Sequence, residues 1–195
     1  MHGRRRTAVL TGIGVLVVVV LTATALATGA DPAADAATTA PPTVERIAGA
    51  DRYATAAALS RQAFGDRPGR AVFLVGGSSV PDALVAAPAA AAVSAPLLLT
   101  NGQDLSPATA AELQRLQPSV VHVIGGPGDV SGVVEAQLRA LLPAARVQRT
   151  AGADRHETAV LVARQFFPVT TTAVVTADDG SAGAPAAAAA AQRSA

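Results

Sequence analysis

Two stretches carry residue types on which chemistry could be built. Residues 46–64 read RIAGADRYATAAALSRQAF and residues 149–167 read RTAGADRHETAVLVARQFF, identical at eleven of nineteen positions at a constant offset of 103. Arg46, Asp51 and Arg52 thereby correspond to Arg149, Asp154 and Arg155, and Thr55 to Thr158. A guanidinium is a planar fork of donors that matches a carboxylate or phosphate, so these arginines suit an anionic glycan. The same residues also suit a plain structural task. An Asp at the head of a helix caps its free N–H groups and meets the positive end of its dipole. Chemistry alone leans towards the cap and leaves both readings open.

A second set lies in Gly76-Gly77-Ser78-Ser79-Val80-Pro81-Asp82, with Thr100–Asp104 and Gly125–Asp129 of similar composition. Small polar residues before a helix leave backbone N–H groups free to hold an anion, which makes Ser78, Ser79 and Asp82 ligand candidates. The bland alternative is that Gly-Gly permits a tight turn and Asp82 caps a helix. An envelope hydrolase built on Ser78 or Ser79 is a minor alternative. GGSSV lacks the second Gly of a nucleophile elbow, and a general base is wanting. His122 sits mid-run in VVHVI, where packing explains it, and His156 replaces Tyr53 of the first copy. Dinucleotide, P-loop, zinc and EF-hand patterns are absent, so no cofactor, metal or catalytic residue is expected.

These residues need elements to position them. Residues 52–64 read as a helix stopped by Gly65. AVFLVGG (71–77), PLLLT (96–100), SVVHVIGG (119–126) and ARVQRT (145–150) read as buried strands. Between them, helices are expected over 82–95 with Asp82 as N-cap, from Ser106-Pro107 to Leu116, and from Ser131 to Pro143. Pro88 implies a kink in the first of these. Strands alternating with helices, and apolar throughout, predict an α/β fold. The expected sheet is doubly wound and mostly parallel, Rossmann- or flavodoxin-like, with helices on both faces.

The chain begins MHGRRR and continues with an uncharged apolar run to Ala30. A basic head, an apolar stretch and Ala25-Leu26-Ala27 predict an export signal over 1–27, cleaved or retained as a membrane anchor. Residues 28–43 read as a disordered linker. The folded part then divides into a first unit, 44–148, and a partial second one, 149–195. The chain has no Cys, which excludes disulfides and thiolate chemistry, and all fifteen basic residues are Arg, as a GC-rich genome favours. Twelve basic residues face twelve acidic ones from Thr43 onward, without the basic excess of a nucleic-acid binder.

The order RxAGADRYxTA (46–56), VFLVGGxxxPDAL (72–84), APLLLT (95–100) and VxVIGGxxxVS (121–131) resembles the type 2 cell-wall-binding repeat of Gram-positive bacteria. The resemblance covers one full module and restarts at 149. It implies an exported envelope protein held non-covalently to an anionic cell-wall glycopolymer, acting as a binding module and not an enzyme. It also implies self-association or packing with other repeats, since such modules come in threes, and a membrane contact only through an uncleaved N-terminus. The second copy keeps a helix, expected over 153–167, and a strand AVVTA, expected over 173–177, but departs from the pattern after it: Asp178-Asp179 stand where the first has Gly76-Gly77.

Overall fold

In a computed structural model of the protein, residues 44–66, 69–170 and 173–175 are described. The export segment and linker expected over 1–43 lie outside them, as does most of the second copy beyond its first helix.

The elements follow the alternation of the sequence. They are α1 (Arg52–Phe64), β1 (Ala71–Gly76), α2 (Val80–Ala92), β2 (Leu97–Thr100), α3 (Pro107–Leu116), β3 (Val120–Ile124), α4 (Gly132–Leu141), β4 (Arg146–Thr150) and α5 (Arg155–Phe166). All four strands are parallel, in the order β2-β1-β3-β4. Phe73 pairs in register with both Leu97 and His122, and His122 with Gln148. Because β1 is followed by β2 on one side and β3 on the other, the crevice at the carboxyl ends of β1 and β3 is the switch point of the sheet.

Successive strand residues point to opposite faces, and two cores result. Val72, Leu74, Leu98, Val121 and Val123 meet Leu113 and Leu116 of α3 and Val134 and Leu138 of α4. Phe73, Val75 and Ile124 meet Ala86, Ala89 and Ala90 of α2 and Val162 of α5. The alanines of α2 let its backbone lie close to the sheet, and α5, the head of the second copy, lies on the same face. The unit boundary drawn at 148/149 falls inside β4, whose register with β3 runs unbroken from Arg146 to Thr150.

Three local expectations need correction. Ser79, not Asp82, is the N-cap residue of α2, and Pro81 falls inside its first turn. Proline has no N–H to satisfy and suits that position, so it marks a start already made. Helix α2 ends at Ala92, short of the expected Ala95, and runs through Pro88, which removes one backbone bond while burial of Ala86, Ala89 and Ala90 holds the helix together. The strand expected over 173–177 is not formed at 173–175, and its remainder lies outside the described residues.

Candidate functional site

The repeated motif folds the same way twice. In the first copy the Thr55 hydroxyl accepts from Gly49 N–H (3.0 Å) and donates to Asp51 C=O (2.8 Å), while Asp51 Oδ1 accepts from Ala54 N–H (2.7 Å). In the second, Thr158 accepts from Gly152 N–H and donates to Asp154 C=O, both 2.9 Å, and Asp154 Oδ1 accepts from His156 and Glu157 N–H at 2.8 Å. The Glu157 N–H leads the causes that hold the Asp154 carboxyl below its ordinary value. Asp51 and Asp154 are thus helix caps, and the Thr hydroxyl ties the preceding turn to the helix.

The motif's first arginine behaves differently in its two copies. Arg149 lies at the end of β4 and clamps the loop that follows β3. Its Nη1 donates to Gly125 C=O (2.5 Å), Nη2 to Val130 C=O (2.5 Å) and Nε to Glu135 Oε1 (2.6 Å). Burial alone would raise the Glu135 carboxyl, but hydrogen bonds from Arg149 and Arg139 outweigh it and hold it low. All three nitrogens of Arg149 are engaged in this structural clamp. Arg46 follows no strand of the described residues, is exposed and makes no hydrogen bond there. Its neighbour Glu45 meets Gln62, near the far end of α1, so Arg46 stands apart from the crevice.

The crevice itself gathers the other candidates. Arg52, first residue of α1, donates from Nη1 to Gly77 C=O (2.6 Å). A Cβ on Gly77 would lie 2.5 Å from the Tyr53 ring, so only glycine lets α1 approach this loop. Ser79 Oγ donates to Asp82 Oδ2 (2.7 Å). Asp82 is only 4% exposed, and its carboxylate occupies the space a Cβ on Gly125 would need; Gly125 has φ +107°. Burial pushes the Asp82 carboxyl up, the Ser79 bond opposes this, Asp129 adds to the rise and Arg155 counters it. Asp82 therefore feels both Asp129 and Arg155 at the β1–β3 crevice, with Ser78 exposed at its rim.

The Ser79 hydroxyl is engaged by a carboxylate and not an imidazole, and His122 lies within β3 against two phenyl rings. Among the described residues no group of three acidic or histidine side chains could hold a metal. Reading the residues in order set Gly125 and Asp129 among the candidate loops but missed their approach to Asp82, and missed that of Tyr53 to Gly77. It also missed Glu112, fully buried and paired with Arg61 and Arg115. Only the Glu112–Arg115 spacing of one helical turn was visible in the sequence.

Residues 46–135 match the model of cell wall binding domain 2. The chain is 38% identical over 121 residues to N-acetylmuramoyl-L-alanine amidase LytC of Bacillus subtilis (strain 168), covering 62% of this chain and 24% of that protein. It is 32% identical over 121 residues to the amidase enhancer of the same organism, covering 62% and 16%. The chain thus spans a quarter or less of these relatives' length. Among solved structures it resembles Cwp8 from Clostridium difficile (TM-score 0.70, 31% identity, 75% of this chain and 25% of that one). Cwp6 from the same organism is also similar (TM-score 0.58, 35% identity, 68% and 22%). The α/β sheet, the ordered motifs and these relatives agree: at residues 46–135 the chain carries a module of the cell wall binding domain 2 family.

Proposed function

We propose that the protein is an exported, non-catalytic cell-envelope component that holds an anionic wall glycopolymer at the β1–β3 crevice. The observation that carries this reading is the Arg52 guanidinium. It is exposed at the rim and uses Nη1 on Gly77 C=O, one residue before the exposed Ser78. Acidic groups of a polymer would meet Arg52, with Ser78 as a hydroxyl partner and Arg155 across the crevice. Asp82 and Ser79 shape the floor. The test is co-sedimentation of the purified chain with isolated walls, with and without their anionic polymer. Retention should depend on the polymer, fall with salt and fall again in Arg52→Ala. Equal recovery in the supernatant from both wall preparations would rule the reading out.

One observation favours a second reading, in which the chain packs against other repeats. Val162 of α5 is 1% exposed against α2 and the sheet, whereas its counterpart in α1, Leu59, is 48% exposed. Leu59 lines an apolar groove of about 420 Å³ floored by Leu97 and Leu99. The same helix face is therefore covered in one copy and open in the other, and another module packs there. Sedimentation velocity of the native chain and Leu59→Asp checks this: association lost in the variant supports it, and identical profiles sink it.

A further inference from the structure

The seam between the sheet and α5 contains an ionisable ring that neither the wall-binding site nor the fold requires. His122, in the middle of β3, is 8% exposed. Its ring centroid lies 5.0 Å from Phe73 of β1 and 5.0 Å from Phe166 of α5, the latter edge-on at 87°. Phe73 and Phe166 are themselves 4.9 Å apart. The imidazole is thus the third member of an aromatic cluster that seats the last turn of α5. Its Nδ1 is buried and has no hydrogen-bond partner among the described residues.

A proton on that nitrogen would place a charge where no acceptor waits. The charged groups around it do not help. β1 offers Phe73, and the register partner on β4 is Gln148. Two residues from Gln148 on the same face is Arg146, cationic and exposed. On α5, Arg164 is cationic and exposed, while Arg155, His156 and Glu157 lie in its first turn, about 15 Å away along the axis. The ionisable residue of α2 is Asp82, beside Gly125, three residues and roughly 10 Å further along β3. A cation over the Phe faces recovers less than the cost of a buried unpaired charge.

We infer that His122 makes the docking of α5 pH-sensitive: the seam closes over a neutral imidazole and opens when that ring takes up a proton. Burial pushes the His122 pKa down, so the open state binds the proton more readily than the closed one. Docking is complete above the ordinary imidazole value of about 6.5 and weakens as pH falls below it, approaching tenfold per pH unit. The second copy of the motif would thereby be released in mild acid while the sheet stays formed. Beyond the ring trio, α5 is held at this level by Thr150 Oγ1 donating to Gln165 Oε1 at 2.8 Å, a neutral bond indifferent to pH.

Hydrogen exchange on the native full chain tests this, with amides of α5 compared against β1 and β3 at about pH 7.5 and about pH 5.5. The opening constant of α5 should rise about tenfold between them. The rise should vanish in His122→Phe and in His122→Gln, which do not titrate, and persist in His156→Gln, which removes the imidazole that α5 itself carries. A second readout needs no variant: the His122 ring proton resonance should titrate below the ordinary imidazole value of about 6.5. The inference is overturned if α5 opening changes less than about twofold, if the change survives in both His122 variants, or if His122 titrates at or above the ordinary value.

Discussion

Replacing the first arginine of each motif copy should give opposite results, and the structure supplies the size of the difference. Arg149→Ala removes three hydrogen bonds from a side chain that is only 20% exposed. Gly125 and Val130 are buried, so each loses its partner where water has poor access. At the low end for a buried acceptor this costs about 1 kcal/mol each. Glu135 keeps Arg139 at 2.5 Å, so its loss adds only about 1 kcal/mol more. The sum is about 3 kcal/mol, or a fall in Tm on the order of 10 °C for a domain of this size. Arg46→Ala removes an exposed side chain with no hydrogen bond among the described residues and should lie within about 0.5 kcal/mol of wild type. Urea unfolding followed by circular dichroism at neutral pH measures both. Equal effects, or Arg149→Ala within about 0.5 kcal/mol of wild type, would refute the clamp.

Further outcomes follow from the same contacts. Thr158→Val keeps the shape of a side chain that is 3% exposed but removes its bonds to Gly152 N–H and Asp154 C=O, and should cost about 1–2 kcal/mol in urea unfolding. Burial alone would raise the Glu112 carboxyl, but Arg115 and Arg61 outweigh it and hold it below its ordinary value. Its stabilisation is therefore present above the unfolded pKa of about 4.3 and lost as pH falls through the folded one; Glu112→Gln should be less stable at neutral pH and show a flatter acid limb in thermal melts. Gly77→Ala should force α1 off the β1–α2 loop, lowering both Tm and wall retention, whereas Gly126→Ala, where an added Cβ meets nothing within 4 Å, should change neither.

Strand and helix positions were legible because both apolar faces of the sheet write themselves as continuous runs such as AVFLV and VVHVI. The motif's Asp and Thr were legible as caps because their partners lie three to seven residues away. What could not be read was whatever depends on a neighbour. Arg46 and Arg149 sit in near-identical sequence, yet among the described residues only the second lies in a strand beside β3. Gln117 ends α3 in a left-handed turn at φ 41° without the glycine that signals one. The start of α2 was misplaced by reading Pro81 as the residue before a helix, although its ring fits the first turn. Asp82 stands out in sequence for its position near a helix start; its burial against Gly125 and the influence of Asp129 and Arg155 on it needed three loops to converge.

The placement of the motif across β4 and α5 bears on how such a protein grows by duplication. The stretch that repeats in sequence is not the stretch that packs as a body. Its opening arginine completes the sheet already made, and its helix lies down on that sheet before any strand of its own begins. Each inherited copy therefore arrives carrying half of its own joint, with the docking surface included in the duplicated segment. An array built this way lengthens without inventing a new interface. A recombination point placed between Thr150 and Arg155 would cut through the joint. One in the turn after Phe64 would leave it whole.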